Sequence, residues 1–290
     1  EKTDYEQPKA FSKKTGNNSN ALKHELENRI EEIDLKIMGL TSQQSLRVLY
    51  GKNLKIATNQ GQISLDQMTQ IVADLHYGLD RWFTDPMNQE VLIAASDQLE
   101  ISPFYYQFNT AFFDLDLISS LPVFELETLA YQYTIPGIHM LPYSSAEQDD
   151  PLWRAYAYAW SIYALTLPQQ PDYYTHSLSR IAALSRRKLA MLKALTDINL
   201  REKNWNADQA ENYLYENTPY EIQLIKREVL HLISSPNEAA NAWLISQALE
   251  KLWQLDHGLT RAKFNDRLLS YVPANLDFLT NEMPEIILSK

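Results

Sequence analysis

Glycine is the feature that most limits the folds open to this chain, because only 7 of its 290 residues are glycine. Tight β-hairpin turns, phosphate-binding loops and dinucleotide-binding fingerprints all depend on glycine at fixed positions. None of these glycines follows an asparagine or an aspartate, so the strongest hairpin signal is missing as well. The scarcity therefore disfavours β-sandwiches and Rossmann-type folds and favours helices.

Charge and cysteine content narrow the functional classes. The chain has 26 Lys+Arg against 37 Asp+Glu and a formal net charge of −11, which disfavours nucleic acid as a partner. Cysteine is absent, which excludes disulfide scaffolds, thiolate zinc sites, iron–sulfur clusters and cysteine nucleophiles. The sequence contains no apolar run as long as the ~18–20 residues of a transmembrane helix, so no transmembrane segment is predicted.

Amphipathic periodicity begins at Leu22, and apolar residues then recur every three or four positions up to Leu40, which predicts a helix. Further helices are predicted to begin where a capping residue, or a proline at the first helical position, precedes an apolar run. These starts are Thr41 or Ser42, Ser64 with Gln67, Asp150-Pro151, Asn206 with Gln209, Thr218-Pro219 and Ser235-Pro236. Helix ends are predicted at Gly39, Asp85-Pro86 and Gly258.

The fold class predicted from these patterns is all-α, with a single multi-helix domain over residues 21–290. The least helical stretch, residues 101–121, is rich in aromatic residues and allows one short β-ribbon near 103–117. Residues 1–20 are polar and lack apolar periodicity, so we expect a disordered tether there.

The tether and the first residue, Glu1, lead us to expect a leader that has been removed. A periplasmic or membrane-anchored lipoprotein fits this expectation, with its lipid anchor on an N-terminal cysteine that is no longer in the chain. A trimmed cytoplasmic protein is the alternative.

Short sequence motifs do not identify a catalytic or metal-binding site in this chain. The six histidines are not spaced as a zinc-binding helix requires, and no nucleophile elbow, Walker loop or calcium loop is present. On these grounds alone the chain is an acidic helical domain of open function.

Five segments resemble, in order, the motifs of a bacterial family known as domain of unknown function 885. They are residues 126–140 (LETLAYQYTIPGIHM), 158–164 (YAWSIYA), 197–218, 235–255 and 275–279. Members of this family are zincin-like helical proteins regarded as metal-dependent peptidases, with a His-Glu-x-x-Pro-Gly-His-His helix. The resemblance covers about residues 100–280 and implies a zincin-like helical scaffold, shortened in its N-terminal half.

The chain departs from the family pattern where the resemblance places the chemistry. Gln132 and Tyr133 stand at the motif histidine and the general-base glutamate, and Ile138 replaces the first histidine of the closing pair, whose second is His139. Tyr158 stands at a glutamate that the resemblance makes the third metal ligand. The other substituted positions are Arg201, Ala242 and Trp243. Because a catalytic zinc needs three protein ligands and a base for its water, these substitutions predict neither metal nor cofactor.

The positions that match the family pattern are ones expected to have a structural role. They are Pro136, Gly137, Trp160, Tyr163, Trp205, Gln209, Ala210, Asn217, Thr218, Pro236, Leu276 and Asp277. Aromatic residues gather near the substituted positions, either as ordinary core that fills the former cavity or as an aromatic ligand pocket. The candidate ligand-binding residues are Tyr131, Tyr133, His139, Tyr158 and Trp160. A catalytic use of Tyr133 or Tyr158 is a third hypothesis.

The resulting hypothesis is a non-catalytic homologue of a zincin-like family that binds or scaffolds a small molecule, a peptide or another protein. The alternative is an active hydrolase or peptidase that uses other residues or a partner chain. The ligand and the oligomeric state stay open.

Overall fold

The computed structural model describes residues 16–54, 60–84, 90–96, 104–142, 150–168 and 174–289. About 69% of the described residues are helical, and these residues form thirteen α-helices and one small sheet. The helices are α1 Gly16–Leu40, α2 Leu46–Asn53, α3 Gln60–His76, α4 Leu115–Ser119, α5 Val123–Tyr133, α6 Pro151–Ala164, α7 Ser179–Glu202, α8 Ala207–Asn217, α9 Ile222–Ser234, α10 Glu238–Trp253, α11 Arg261–Leu269, α12 Leu276–Asn281 and α13 Met283–Leu288. The strands are β1 Leu92–Ala95, β2 Phe104–Gln107 and β3 Thr110–Phe113. The predicted helical fold class is confirmed.

Helix α7 lies at the centre of the molecule. It packs against α1, α5, α6, α8, α9 and α10, and almost all of its residues are buried. Four charged residues of α7, Arg186, Lys188, Lys193 and Asp197, are buried with the rest of the helix. Since a buried charge without a partner is costly, each of them is paired: the three cations with carboxylates of neighbouring helices, and Asp197 with Arg201 of α7 itself.

The sheet has the strand order β1-β3-β2, with β2 antiparallel and β1 parallel to β3. Phe108 and Asn109 join β2 to β3, and both have positive φ, 47° and 58°. Two-residue turns of this kind usually contain glycine. With phenylalanine at the first position, the sequence lacks the usual signal of a hairpin. The predicted β-ribbon is therefore confirmed over residues 104–113, whereas residues 115–119 form α4 and β1 was not predicted.

Two helix starts lie where capping chemistry predicted them. The Asp150 carboxylate accepts the Leu152 N–H at 2.8 Å and caps α6, which begins at Pro151. Asn206 and Gln209 form a reciprocal capping box at the start of α8, with bonds of 2.9 and 3.0 Å.

Two other starts were predicted wrongly. Helix α2 begins at Leu46 with Ser45 as its N-cap, because Ser42 and Gln43 have positive φ and turn the chain first. Helix α3 is already helical at Gln60, and Ser64 lies fully buried inside it rather than at its start.

The starts of α9 and α10 and the end of α10 also differ from their predicted positions. Helix α9 begins after Glu221 rather than at Pro219. Helix α10 begins after Asn237 rather than at Ser235, because a carboxylate from α7, Asp197, accepts the Asn237 and Ala240 N–H groups at 3.1 and 3.2 Å. Gly258 has a φ of 64°, but it lies beyond the end of α10 at Trp253.

The remaining boundary predictions concern the chain's N-terminal half. Gly39 lies in the last turn of α1, as predicted. Helix α1 begins at Gly16, so residues 16–20 of the predicted tether are helical, and Ser19 is buried. Residues 1–15 and the predicted helix end at Asp85-Pro86 lie outside the described residues. Among the described helices, none is both long and apolar enough to cross a membrane.

Candidate functional site

The turn after α5 explains why several family-matching residues occur together. The peptide between Ile135 and Pro136 is cis, and Trp160 on α6 donates its indole N–H to the Pro136 carbonyl at 3.0 Å. Gly137 lies so close to α5 that a Cβ there would come within 1.9 Å of the Gln132 carbonyl oxygen. Only glycine fits, which fixes the path of the chain after α5.

Four polar side chains meet beside the C-terminal end of α5: Tyr133 from α5, Tyr158 from α6, Lys193 from α7 and Glu228 from α9, here called the Lys193 cluster. The Lys193 Nζ lies 2.5 Å from Glu228 Oε2. It also lies 4.5 Å from the centre of the Tyr158 ring. Lys193 and Glu228 are each about 5% exposed, whereas the two tyrosines are only half-buried.

The protonation states of the Lys193 cluster follow from this packing. Burial raises the pKa of the Tyr133 and Tyr158 phenols, and Lys193 only partly offsets it. Burial by itself would lower the pKa of Lys193, but Glu228 and the two phenols together hold it above its usual value. Burial would raise the pKa of Glu228, and Lys193 with the other nearby cations brings it below its usual value. At neutral pH the cluster therefore holds an ammonium, a carboxylate and two neutral phenols.

A second buried set of polar residues, here called the Glu125 cluster, lies on the same face of α7. The fully buried Glu125 carboxylate accepts the Tyr50 hydroxyl at 2.5 Å and the Tyr220 hydroxyl at 3.0 Å. Arg186 pairs with it at 2.8 Å, and the guanidinium lies over the Phe104 ring at 5.3 Å. Burial raises the pKa of Glu125, and its partners only partly reverse this.

The predicted site residues divide between this region and the core. Tyr133 and Tyr158 are brought together, and Ile138 is half-buried. His139 is 2% exposed, and its Nδ1 lies 2.6 Å from the Tyr106 hydroxyl of β2. Gln132 is 4% exposed, and its side-chain oxygen has no hydrogen-bond partner within the part of the chain that the structure describes.

Tyr131 and Trp160 are almost fully buried and serve packing. Tyr131 packs edge-on against Trp82 and Tyr174, with ring centroids 5.8 and 5.2 Å apart. Trp160 packs against Tyr163 at 5.2 Å. These two candidates therefore lie in the core, whereas Tyr133 and Tyr158 are half-buried.

The downstream substituted positions belong to the contact of α10 with α6 and α7. Arg201 pairs with Asp197 and donates to the Asn237 side chain at 3.0 Å, which ties α7 to the start of α10. Ala242 and Trp243 are buried on α10, whose main neighbour is α6.

A cavity of about 220 Å³ lies beside Tyr131, between α3 and α5. Glu127 lines it, and this buried carboxylate accepts the Thr175 N–H at 2.7 Å and the Thr175 hydroxyl at 3.0 Å. These bonds hold the segment that leads into α7, which gives Glu127 a structural role.

Sequence reasoning missed Lys193, Glu228, Glu125 and Arg186. The available signal was a charged residue inside an apolar helical run, such as Lys193 within residues 189–195. Such a charge is almost never buried unless it is paired, but the sequence does not show which helix supplies the partner.

The donor set does not fit a zinc ion. In the described ranges no three His, Asp or Glu side chains converge as a metal site would require. His139 is engaged by Tyr106, and the Lys193 ammonium beside Tyr158 would repel a second cation.

Comparison with known proteins supports the fold and gives the family. The crystal structure of the putative lipoprotein from Colwellia psychrerythraea matches 94% of this chain with a TM-score of 0.76 at 14% identity, a likeness of fold. The chain spans about half of that protein, 53% of its length. No curated protein matches the chain. The family described as "Bacterial protein of unknown function (DUF885)" matches residues 19–283, which confirms the resemblance seen in five segments: the chain belongs to this family.

Proposed function

We propose that the protein is a non-catalytic member of its family, with a binding or scaffolding role. The observation that supports this most directly is the Lys193–Glu228 ion pair at 2.5 Å, packed against Tyr158 where the resemblance implies a metal ligand. The neutral phenols of Tyr133 and Tyr158 supply neither a general base nor a zinc donor at neutral pH.

The same phenols are the best candidates for ligand contact. Tyr133 and Tyr158 are half-buried, so each ring is fixed by packing while part of it faces the surface. A hydroxyl on a fixed aromatic ring suits recognition of a peptide or a small polar molecule.

Metal content and peptidase activity test the proposal together. We expect purified protein to contain zinc far below one equivalent and to leave peptide substrates intact, before and after incubation with zinc. His139→Ala is the control, because it removes the one retained motif histidine and should change neither result. Stoichiometric zinc that is lost on chelation together with peptidase activity would contradict the proposal and support the hydrolase alternative.

We also propose that the protein is exported and held at a membrane through a lipid. The proposal draws on the polar N-terminal residues and on the description of the Colwellia protein as a putative lipoprotein. Fractionation of cells that express the full-length gene tests it, with recovery only in the cytosol as the contradicting outcome.

A further inference from the structure

We propose that the ammonium of Lys193 is the resident cation of this site and takes over the organising role that a metal ion would have there. The inference rests on the proposed function, because it assumes that the resemblance places the metal positions correctly. It goes further in naming the group of this chain that replaces the ion.

The geometry supports the replacement, because electron-rich groups from three helices surround one positive charge. Glu228 on α9 supplies a carboxylate oxygen at 2.5 Å, and Tyr158 on α6 supplies a ring face at 4.5 Å. Tyr133 on α5 lies within electrostatic range of the same ammonium. A metal draws ligands from separate elements to one charge, and the ammonium does so through an ion pair and a cation–π contact.

The local charges balance without a further ion. Glu228 neutralises Lys193, and Glu125 neutralises the nearby Arg186. His231 also faces Glu228 but pairs with Glu238 at 3.2 Å. A second cation in this cluster would therefore meet no spare carboxylate among these groups.

Lys188, on the same helix, provides a matched control. Its Nζ lies 2.7 Å from Asp34 Oδ1, a distance similar to that of the Lys193 pair, but Asp34 is 40% exposed. Solvent screens that pair, so loss of its charge should have little effect.

The first experiment separates the charge of Lys193 from its packing. Lys193→Met keeps an unbranched side chain that is one atom shorter and uncharged, and we expect it to lower Tm by on the order of 10 °C, because it leaves Glu228 buried and unpaired. Lys188→Met should lower Tm by less than a quarter of that. In Lys193→Ala, propylammonium chloride should restore part of the lost Tm, whereas 1-propanol and sodium chloride at equal concentration should not.

Two outcomes would overturn the role of Lys193. One is an unchanged Tm in Lys193→Met, and the other is equal rescue of Lys193→Ala by propanol. If Lys193→Ala does not fold, Lys193→Met combined with Glu228→Gln decides the question. The double variant should regain most of the Tm lost in Lys193→Met, and a double variant no more stable than Lys193→Met would also contradict the proposal.

The second experiment asks whether Lys193 excludes a metal. Gln132→His, Tyr133→Glu, Ile138→His and Tyr158→Glu together rebuild the family's ligands, and we expect this variant to bind zinc at least tenfold more weakly than the same variant carrying Lys193→Ala. Titration calorimetry with zinc chloride measures both affinities. Equal affinities would overturn the inference. Zinc binding by neither variant would instead contradict the placement of the metal positions in the proposed function, while the ammonium rescue still decides the role of Lys193.

Discussion

Two helix contacts carry the substituted family positions, and they differ in physical character. Where α7 meets α5 and α9, charges are buried and paired, as in Glu125–Arg186 and Glu228–Lys193. Where α10 meets α6, the buried residues of the two helices are mostly alanines, aliphatic and aromatic residues, with Ala242 and Trp243 at substituted positions. The same scaffold therefore joins its helices in two ways, by pairing buried charges and by apolar packing.

The two solutions stabilise the fold in different ways. Apolar burial contributes roughly 25 cal/mol for each Å² removed from water, and it tolerates changes of shape that conserve volume. A buried ion pair contributes little net stability because desolvation offsets the attraction, but loss of one partner is strongly destabilising. We therefore expect the charged contact to be the more sensitive of the two to single neutralising substitutions.

The largest expected effect comes from neutralising one side of the charged contact. Arg186→Met should lower the free energy of unfolding by about 3–5 kcal/mol, because it leaves the Glu125 carboxylate buried with only phenol partners. Chemical denaturation at neutral pH measures the loss.

The adjacent residue is the control for that experiment. Arg187 pairs with Glu250 at 2.6 Å, but both side chains are partly exposed, at 15% and 21%. Arg187→Met should cost no more than about 1 kcal/mol. Equal losses in the two variants would remove the distinction between a buried and a screened ion pair on α7.

The turn between α5 and α6, which contains Gly137, should be sensitive to the size of its side chains rather than to their charge. Gly137→Ala places a Cβ at 1.9 Å from the Gln132 carbonyl oxygen, so we expect a loss of about 3 kcal/mol or more. Gly39→Ala is the control, because a Cβ at Gly39 near the end of α1 meets nothing within 4 Å and should be neutral or stabilising by up to ~1 kcal/mol. Thermal unfolding of both variants checks the prediction, and a tolerated Gly137→Ala would show that this turn is not rigid.

Two roles are open for Tyr133, core packing and ligand binding, and truncation of its side chain distinguishes them. Its ring packs on Phe104 and Phe113 at 5.2 and 6.1 Å between centroids, so Tyr133→Ala should cost about 3 kcal/mol if packing is its role. Tyr133→Phe keeps the ring and should cost under about 1 kcal/mol. If Tyr133→Ala instead changes stability by under about 1 kcal/mol, the ligand-pocket hypothesis gains support. Urea denaturation of both variants measures the difference.

The fold was largely predictable from the sequence, because helix periodicity and local capping are short-range properties. Asp150 and the Asn206–Gln209 box act within their own helices, and both were located correctly. The start of α10 was not, because its cap is Asp197 from α7, a long-range partner. The turn at Phe108-Asn109 was missed for a different reason, since Asn109 commonly adopts positive φ but Phe108 does not.

The candidate site was less predictable than the fold. The family resemblance identified Tyr133 and Tyr158, which the structure brings together. It gave no hint of Lys193 and Glu228, because these residues come from α7 and α9 and meet only after the helices pack. The resemblance also did not indicate that Tyr131 and Trp160, two further ligand candidates, are buried in the core.

The smallest expected effect concerns the charged edge of the otherwise apolar contact between α6 and α10. Glu238 opens α10 and pairs with Arg154 of α6 at 3.1 Å and with His231 at 3.2 Å. Burial would raise the pKa of Glu238, but His231 and Arg154 outweigh it and hold the pKa below its usual value. A carboxyl with a lowered pKa in the folded state stabilises the protein above its unfolded pKa of about 4.3 and loses that contribution as the pH falls below it.

Glu238→Gln should therefore cost about 1 kcal/mol at pH 7, and the difference from the native chain should shrink below about pH 4.3. Glu25→Gln is the control, because the Glu25–Arg29 pair on α1 is well exposed and should contribute at most ~0.5 kcal/mol. Denaturant titrations of the three proteins between about pH 3 and 7 measure the effect. If the Glu238→Gln deficit stays constant over that range, the carboxylate charge contributes nothing to the contact, and α6 and α10 are held together by apolar packing to their edge.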